Sequence, residues 1–555
     1  MFLQTFIRRI EKGRGLVRGA LVSRYMLYSM IAVGSILWWS GTAQGQRFED
    51  SKSSAADGAP FDRFGTAVDV SGMTAVVGAP RDDDGGSSSG SAYIFEYDGS
   101  RWIQTAKLTA SDAAITDLFG TSVAISGDVV VIGAPFSSRS KSSAGAVYLF
   151  EKPITGWTDM TETGTLNASD EKPGDGFGTA VAIDGDFVVV GASQEFSGGT
   201  GKTYVYEKPI DGWQTITESA ILTVSSANAG DRIGSAVAIS GDVVAVGAPG
   251  SDAFGKDAGV ILAYQRPIGG WASANETAAL WASDGGVDDA LGFSVATSGP
   301  TIAAGAPFHD GAASNAGATY VFRATQNGWK NSAEEAKLLT SSFAPIDEFG
   351  NTIAMETDMI VVGAHKSDLA GSNAGALFVY RKPNLGWTEM FESDFVIASD
   401  AAIADGFGTS VAMDDFRTII GSPFDDDRGS DSGSLYYVDL TPPCFDLQVF
   451  NLIAGDTATF VVRNGVPQKR FVVLYGLGGP PTTFVDVRGF CATFGFSFIT
   501  QKNVMGFGQF DSNGIGSIEV PIAPQMIGFT LKLQAAEKNT CPDECVSNLV
   551  KQEVK

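Results

Sequence analysis

The residues in this sequence best suited to chemistry are its carboxylates. Two runs concentrate them, Asp82-Asp83-Asp84 and Asp425-Asp426-Asp427. Crowded carboxylates repel one another unless a cation or solvent screens them. Hard cations such as Ca²⁺ prefer such oxygen ligands. Both runs are therefore candidate metal ligands, and Ca²⁺ is the cofactor they would take. Single aspartates also recur at Asp62, Asp117, Asp175, Asp231, Asp289, Asp347 and Asp405. Each stands two residues ahead of a recurring apolar position. A ring of cation ligands is one use for them. Acceptance of backbone N–H groups in a turn entering a strand is the other, and repetition in every unit favours it.

Catalytic constellations are not apparent. The chain has two histidines, His309 and His365, each just after a recurring turn, where they read as ordinary loop residues. Gly86–Gly90 fits a G-x-S-x-G pattern, but it lies in a Gly/Ser loop between antiparallel strands and not at a strand-to-helix elbow. No zinc-protease, phosphate-loop or dinucleotide motif occurs. The expectation is a protein that is not an enzyme, with no catalytic residues.

These side chains need elements to hold them, and the elements repeat. One phrase returns seven times, as in Phe119 to Pro135 (FGTSVAISGDVVVIGAP). Its lead residues are Phe64, Phe119, Phe177, Ile233, Leu291, Phe349 and Phe407, which are 55 to 58 residues apart. Each unit reads as four strands. In the second unit these are Thr121–Ser126, Val129–Ile132, Ala146–Phe150 and a fourth ending near Leu166, opened by a turn with Gly156-Trp157. Val, Ile, Tyr and Phe fill the runs, and Gly, Pro, Asp and Ser divide them. Continuous apolar strands imply sheets covered on both faces. Four-stranded sheets in such an array are propeller blades. The seventh unit ends at Leu440-Thr441-Pro442-Pro443 without a fourth strand. Gln46–Ser54 lies where one would precede Phe64, so it is expected to complete blade seven and remove two open sheet edges. Closure makes blades one and seven neighbours, so the two aspartate runs are expected to share one Ca²⁺ site at that seam. The long connections all emerge on one face, which is the expected binding surface.

The two ends differ from the ring. Residues 1–45 carry six basic residues and one acid, then an apolar run from Tyr25 to Trp39, then small residues up to Gly45. This is the order of a signal peptide, with an N-terminal membrane anchor as the alternative. Without this segment the net charge moves from −25 to −30. Such acidity opposes nucleic acid and anionic lipid, so the membrane enters only through an uncleaved N-terminus. Residues 444–555 read as a second, β-sandwich-like domain with strands at Phe445–Phe450, Thr457–Val462, Phe471–Tyr475, Phe484–Val487, Gly516–Val520 and Phe529–Gln534. They hold all four cysteines, Cys444, Cys491, Cys541 and Cys545. In an exported chain two disulfides are expected, Cys541 with Cys545 and Cys444 with Cys491.

The FG…GAP phrase resembles the repeats that form the propeller of integrin α subunits, and those of many secreted bacterial FG-GAP proteins. The resemblance covers about Gln46 to Leu440. It implies an all-β fold, a seven-bladed β-propeller over 46–440 followed by the small C-terminal domain. One departure matters. Several integrin blades carry an Asp-x-Asp-x-Asp-Gly calcium loop between the first two strands, whereas here that connection is a tight turn such as Ser240-Gly241-Asp242. Those calcium sites do not carry over.

The expected function is a secreted or cell-surface binding or adhesion module, presenting its loop-rich face to a protein or glycan. The alternatives are a carbohydrate-active protein, lectin or enzyme, and a purely structural surface component.

Overall fold

The computed structural model describes residues 45–441, apart from residues 312, 343, 384 and 385, and the backbone of nine strands beyond residue 445. Seven sheets follow one another in the chain, each built on four antiparallel strands. In the second blade the strands are Ser122–Ser126, Val129–Ala134, Ala146–Glu151 and Gly164–Asn167, paired in that order. The expected strands match within two residues. Val129–Ala134 is buried along its whole length, as its unbroken apolar sequence requires.

The apolar core lies between blades rather than inside them. Val76, Ile94 and Leu108 of blade one pack against Phe119, Val130, Ile132 and Tyr148 of blade two. The repeated tryptophan joins this layer. Trp157 is buried, but it precedes the fourth strand instead of opening it. Between Trp157 and that strand, Met160–Thr161 adds a short parallel fifth strand to Leu108-Thr109 of the preceding blade. Only in blade one does the tryptophan begin the strand, Trp102–Thr109.

The glycines of the repeated phrase have a seam to fill. A Cβ on Gly78 would stand 2.0 Å from the carbonyl oxygen of Gly120 in the next blade, and one on Gly421 2.0 Å from that of Gly65. Backbone meets backbone there, so only glycine fits. The lead phenylalanine sits beside this contact, edge-on to a third-strand ring: the Phe119 and Tyr148 ring centroids are 5.4 Å apart.

The N-terminal segment closes the ring, as its position suggested. Ser51–Ser53 pairs antiparallel with Leu435 to Tyr437 and supplies the fourth strand of blade seven. Gly45–Arg47 reaches further back and lies parallel on Asp394–Val396 of blade six. Across the closing seam Val77, Tyr93 and Trp102 pack with Ile419, Leu435 and Tyr437.

Six of the seven seams also carry a carboxylate clamp. The N–H and hydroxyl of Ser111 both donate to Glu162 of the next blade, at 2.9 and 2.6 Å. Ser169, Ser225, Ser283 and Ser341 hold Glu218, Glu276, Glu334 and Glu392 in the same way, and Ser399 holds Glu49. At the closing seam the pair is Ala56 and Gln104, with one bond from the Ala56 N–H at 2.8 Å.

Beyond the ring, strands occur at or near all six expected places, and Phe490–Thr493, Val504–Gln509 and Val550–Glu553 add three more. The sandwich packing, the disulfides among Cys444, Cys491, Cys541 and Cys545, and the N-terminal signal or anchor lie outside the described residues. Among the described residues, no helix is long and apolar enough to cross a membrane.

Candidate binding face

Two loops from each blade build one face: the lead-in to the first strand, and the loop after the Gly-Ala that ends the second. The loop of one blade bonds to the lead-in of the next. Thr116 and Phe119 N–H groups donate to Ser87 and Ser89 carbonyls at 2.9 Å each. At the closing seam Phe61 donates to Ser430 and Phe64 to Ser432. The result is a collar of backbone hydrogen bonds around the ring.

The seven recurring aspartates are part of that collar. Each accepts the N–H of the residue three before it, from Ala59 to Asp62 at 2.7 Å through Ala402 to Asp405 at 2.7 Å. Their role is the structural one. It holds them in a poorly solvated turn, and burial pushes Asp62 up to about 6, against the backbone bond and with help from the Asp82 and Asp83 charges. Asp347 is raised to about 6 for the same leading reason.

The two aspartate runs do not come together into one seam site. Each forms its own cluster around a lysine. Lys107 Nζ lies 2.7, 2.8 and 2.5 Å from Asp57, Asp82 and Asp84. Lys52 Nζ lies 2.7 Å from each of Asp400, Asp425 and Asp427. Among the described residues these are the carboxylate groups close enough together to share a metal ion, and in each the chain supplies an ammonium at the centre. Burial opposes the charge on both lysines, but hydrogen bonds to the three carboxylates more than offset it and raise them overall. Asp425 is lowered: burial would raise it, and the bonds from Lys52, the Asp427 N–H and the Tyr436 hydroxyl, with the Lys52 charge, together outweigh that.

Every aspartate of a run has a separate task. Asp82 accepts the Asp84 N–H at 2.8 Å and the Tyr93 hydroxyl at 2.7 Å. Asp425 does the same with Asp427 and Tyr436. Asp83 and Asp426 turn outward and accept the N–H groups of Ser88 and Asp431 across their own loops.

Lys52, Lys107, Asp57 and Asp400 were missed by the sequence reading. A signal for them existed. Asp57, Asp112, Asp170, Asp284 and Asp400 stand seven residues before a lead position, and their blades carry Tyr93, Tyr148, Tyr204, Tyr320 and Tyr436 on the third strand. The two blades with Ser226 and Ser342 there carry Leu262 and Phe378 instead. Acid and phenol come and go together because they bond, at 2.8 Å for Asp112 with Tyr148 and for Asp170 with Tyr204.

His309 is not an ordinary loop residue. It is buried and takes the place that Asp82 and Asp425 occupy in their blades. Its Nδ1 lies 2.7 Å from Asp289, and its Nε2 lies 2.9 Å from the Lys337 ammonium, which also contacts Asp284 at 2.6 Å. An Nε2 that accepts from an ammonium carries no proton, so Nδ1 is the donor to Asp289. His365, in the place of the usual proline, faces Glu348 at 3.7 Å. Gly86–Gly90 lies in the loop after the second strand of blade one, as expected of a coincidental pattern.

Exposed apolar side chains also stand on this face. Phe61, Ile115, Val287, Ile346 and Ile403 project from lead-in loops, with Phe61 57% and Ile403 76% exposed. Phe196 and Phe254 project from the other loop in blades three and four. Every blade thus contributes one. Phe254 stacks on Trp281 at 4.5 Å and 18°. Beside them five blades place an exposed aspartate at one loop position: Asp83, Asp252, Asp310, Asp368 and Asp426. Each accepts a loop N–H, and none has a cationic partner within 4.0 Å among the described residues.

Of the comparisons with known proteins, the family model alone bears on the repeat. No curated protein matches the chain. Among solved structures, the acylaminoacyl peptidase of Pyrococcus horikoshii is 10% identical with a TM-score of 0.35, over 76% of this chain and 61% of the peptidase. The chain thus spans about three fifths of that peptidase's length. A tetra-tandem repeat in the extending region of a large adhesion protein is 10% identical with a TM-score of 0.15, over 88% of this chain and 98% of that one. Neither likeness bears on what this chain does. The FG-GAP repeat matches seven segments, 48–95, 102–150, 160–206, 216–262, 274–322, 333–380 and 392–438. Each segment begins at or near the outer strand of one blade and ends in the third strand of the next, in step with the closure, and the chain belongs to the FG-GAP repeat family.

Proposed function

We propose that this chain is a non-enzymatic, secreted or cell-surface binding module that engages its ligand with the loop-rich face. The observation that carries the reading is the set of exposed apolar tips, one from each blade. Large apolar side chains grouped on one surface mark interaction sites. The collar of backbone bonds beneath them keeps the face pre-organised, which lowers the cost of binding. No cation is needed, because the carboxylate clusters already hold lysines.

An array of extracellular proteins and glycans, probed with the full chain, tests this. Ile115→Ser, Val287→Ser and Ile403→Ser together should abolish the interaction and leave the melting temperature in place. Binding that persists undiminished in this variant sinks the proposal. A glycan ligand is the second reading, favoured by the stacked Phe254 and Trp281 rings, a geometry on which a sugar face can rest. Loss of glycan binding in Phe254→Ser alone would support it.

A further inference from the structure

We propose that the partner of this face is a cationic protein surface, one whose Lys and Arg side chains are interleaved with apolar ones. The inference rests on the binding-module reading above and names the partner's chemistry. Two features that repeat around the ring carry it. The apolar tips would be covered by apolar side chains of the partner. The aspartates at one shared loop position, Asp83, Asp252, Asp310, Asp368 and Asp426, are exposed and without a cation of their own among the described residues. This separates them from Asp82 and Asp425, whose charge Lys107 and Lys52 already balance.

Charge decides among the possible occupants. The chain carries a formal net charge of −25. A second copy presenting the same face would set carboxylate against carboxylate, and anionic lipid or nucleic acid would be repelled. A neutral glycan would leave the charge unmatched. A cationic surface answers it, and complementary charge speeds encounter and fixes orientation. The tips stand on all seven blades, so the occupant spans several of them, which favours a protein surface over a small molecule.

The experiment measures fluorescence anisotropy of a labelled peptide alternating Lys and Leu, with the full chain at low and high salt. A counterpart with Glu for Lys is the control. One variant joins Asp83→Asn, Asp252→Asn, Asp310→Asn, Asp368→Asn and Asp426→Asn, which keeps an oxygen to accept each loop N–H. The other is the triple apolar-tip variant, and melting curves report whether both fold. The Lys peptide should bind, the Glu peptide should not, and affinity should fall about tenfold or more in each variant and with salt. Equal affinity for the apolar-tip variant would mean unspecific charge attraction and would overturn the inference. Glycan binding lost in the apolar-tip variant, with no peptide binding, would overturn it and leave the binding-module reading standing. No binding to peptide, glycan or protein array would overturn both.

Discussion

The Lys52 ammonium stands 2.7 Å from the Asp425 carboxylate, joining residues far apart in sequence across the blade that closes the ring. Lys52 belongs to the N-terminal strand Ser51–Ser53, and Asp425 to the last blade. Backbone pairing over three residues is a small hold for a closing strand. The lysine adds Asp400 and Asp427 to it. Removing the ammonium would leave three carboxylates facing one another.

Lys52→Met should therefore destabilise the ring by about 2–4 kcal/mol, between the values for surface pairs and for buried ones. The emptied cluster should then take up Ca²⁺, so that calcium raises the melting temperature of the variant and not that of the native chain. Calorimetric melts with and without calcium test both parts. An unchanged melting temperature for Lys52→Met would remove the lysine's role in closure.

Six seams carry a serine–glutamate clamp, and the closing one carries Ala56 and Gln104. Ala56→Ser with Gln104→Glu would install the seventh. Two hydrogen bonds to a charged acceptor should stabilise the ring by about 1–2 kcal/mol. Denaturant unfolding of the double variant and both single variants isolates the pair. The prediction fails if the double variant is no more stable than the better single one.

The seam glycines predict a contrast. Gly421→Ala would drive a Cβ to 2.0 Å from the Gly65 carbonyl, an overpacking that costs about 3 kcal/mol or more. Gly127→Ala meets nothing within 4 Å, and its strain is the φ of +58° alone, about 1–2 kcal/mol. Similar losses at the two sites would show that the seam tolerates side chains.

One acid sets a pH dependence. Asp69, on the first strand of blade one, accepts the N–H groups of Val70 and Ile125 at 2.9 and 2.7 Å. Burial pushes it up to about 7, against those bonds and with the Asp414 charge. In the unfolded chain it would ionise near 3.8. The folded state therefore holds a proton that the unfolded state has lost, and stability falls as pH rises between these values. Between pH 5 and 8 the native chain should lose more stability than Asp69→Asn. Parallel pH curves for the two proteins would contradict this.

Much of this was legible because a repeat exposes its own rules. The lead phenylalanines, the Gly-Asp turns and the apolar second strands fixed four strands per unit, and the missing fourth strand after Leu440 pointed to Gln46–Ser54. Phe48-Glu49 even stands the same distance before Phe64 as Phe391-Glu392 stands before Phe407. Trp157 was placed at the opening of the fourth strand and stands several residues ahead of it, because the sequence does not show that a two-residue strand crosses to the neighbouring blade.

The sequence by itself determined the seven units, their strands and the structural use of the recurring aspartates, because each rests on local backbone geometry that every unit must satisfy alike. Only the tertiary structure decided what the aspartate runs do. Asp82 and Asp84 meet Lys107 and Asp57, and Asp425 and Asp427 meet Lys52 and Asp400, in ion pairs between residues 23 to 375 apart in sequence, the longest joining Lys52 to Asp427. Coulomb attraction acts on distance in space, and the fold alone sets that distance.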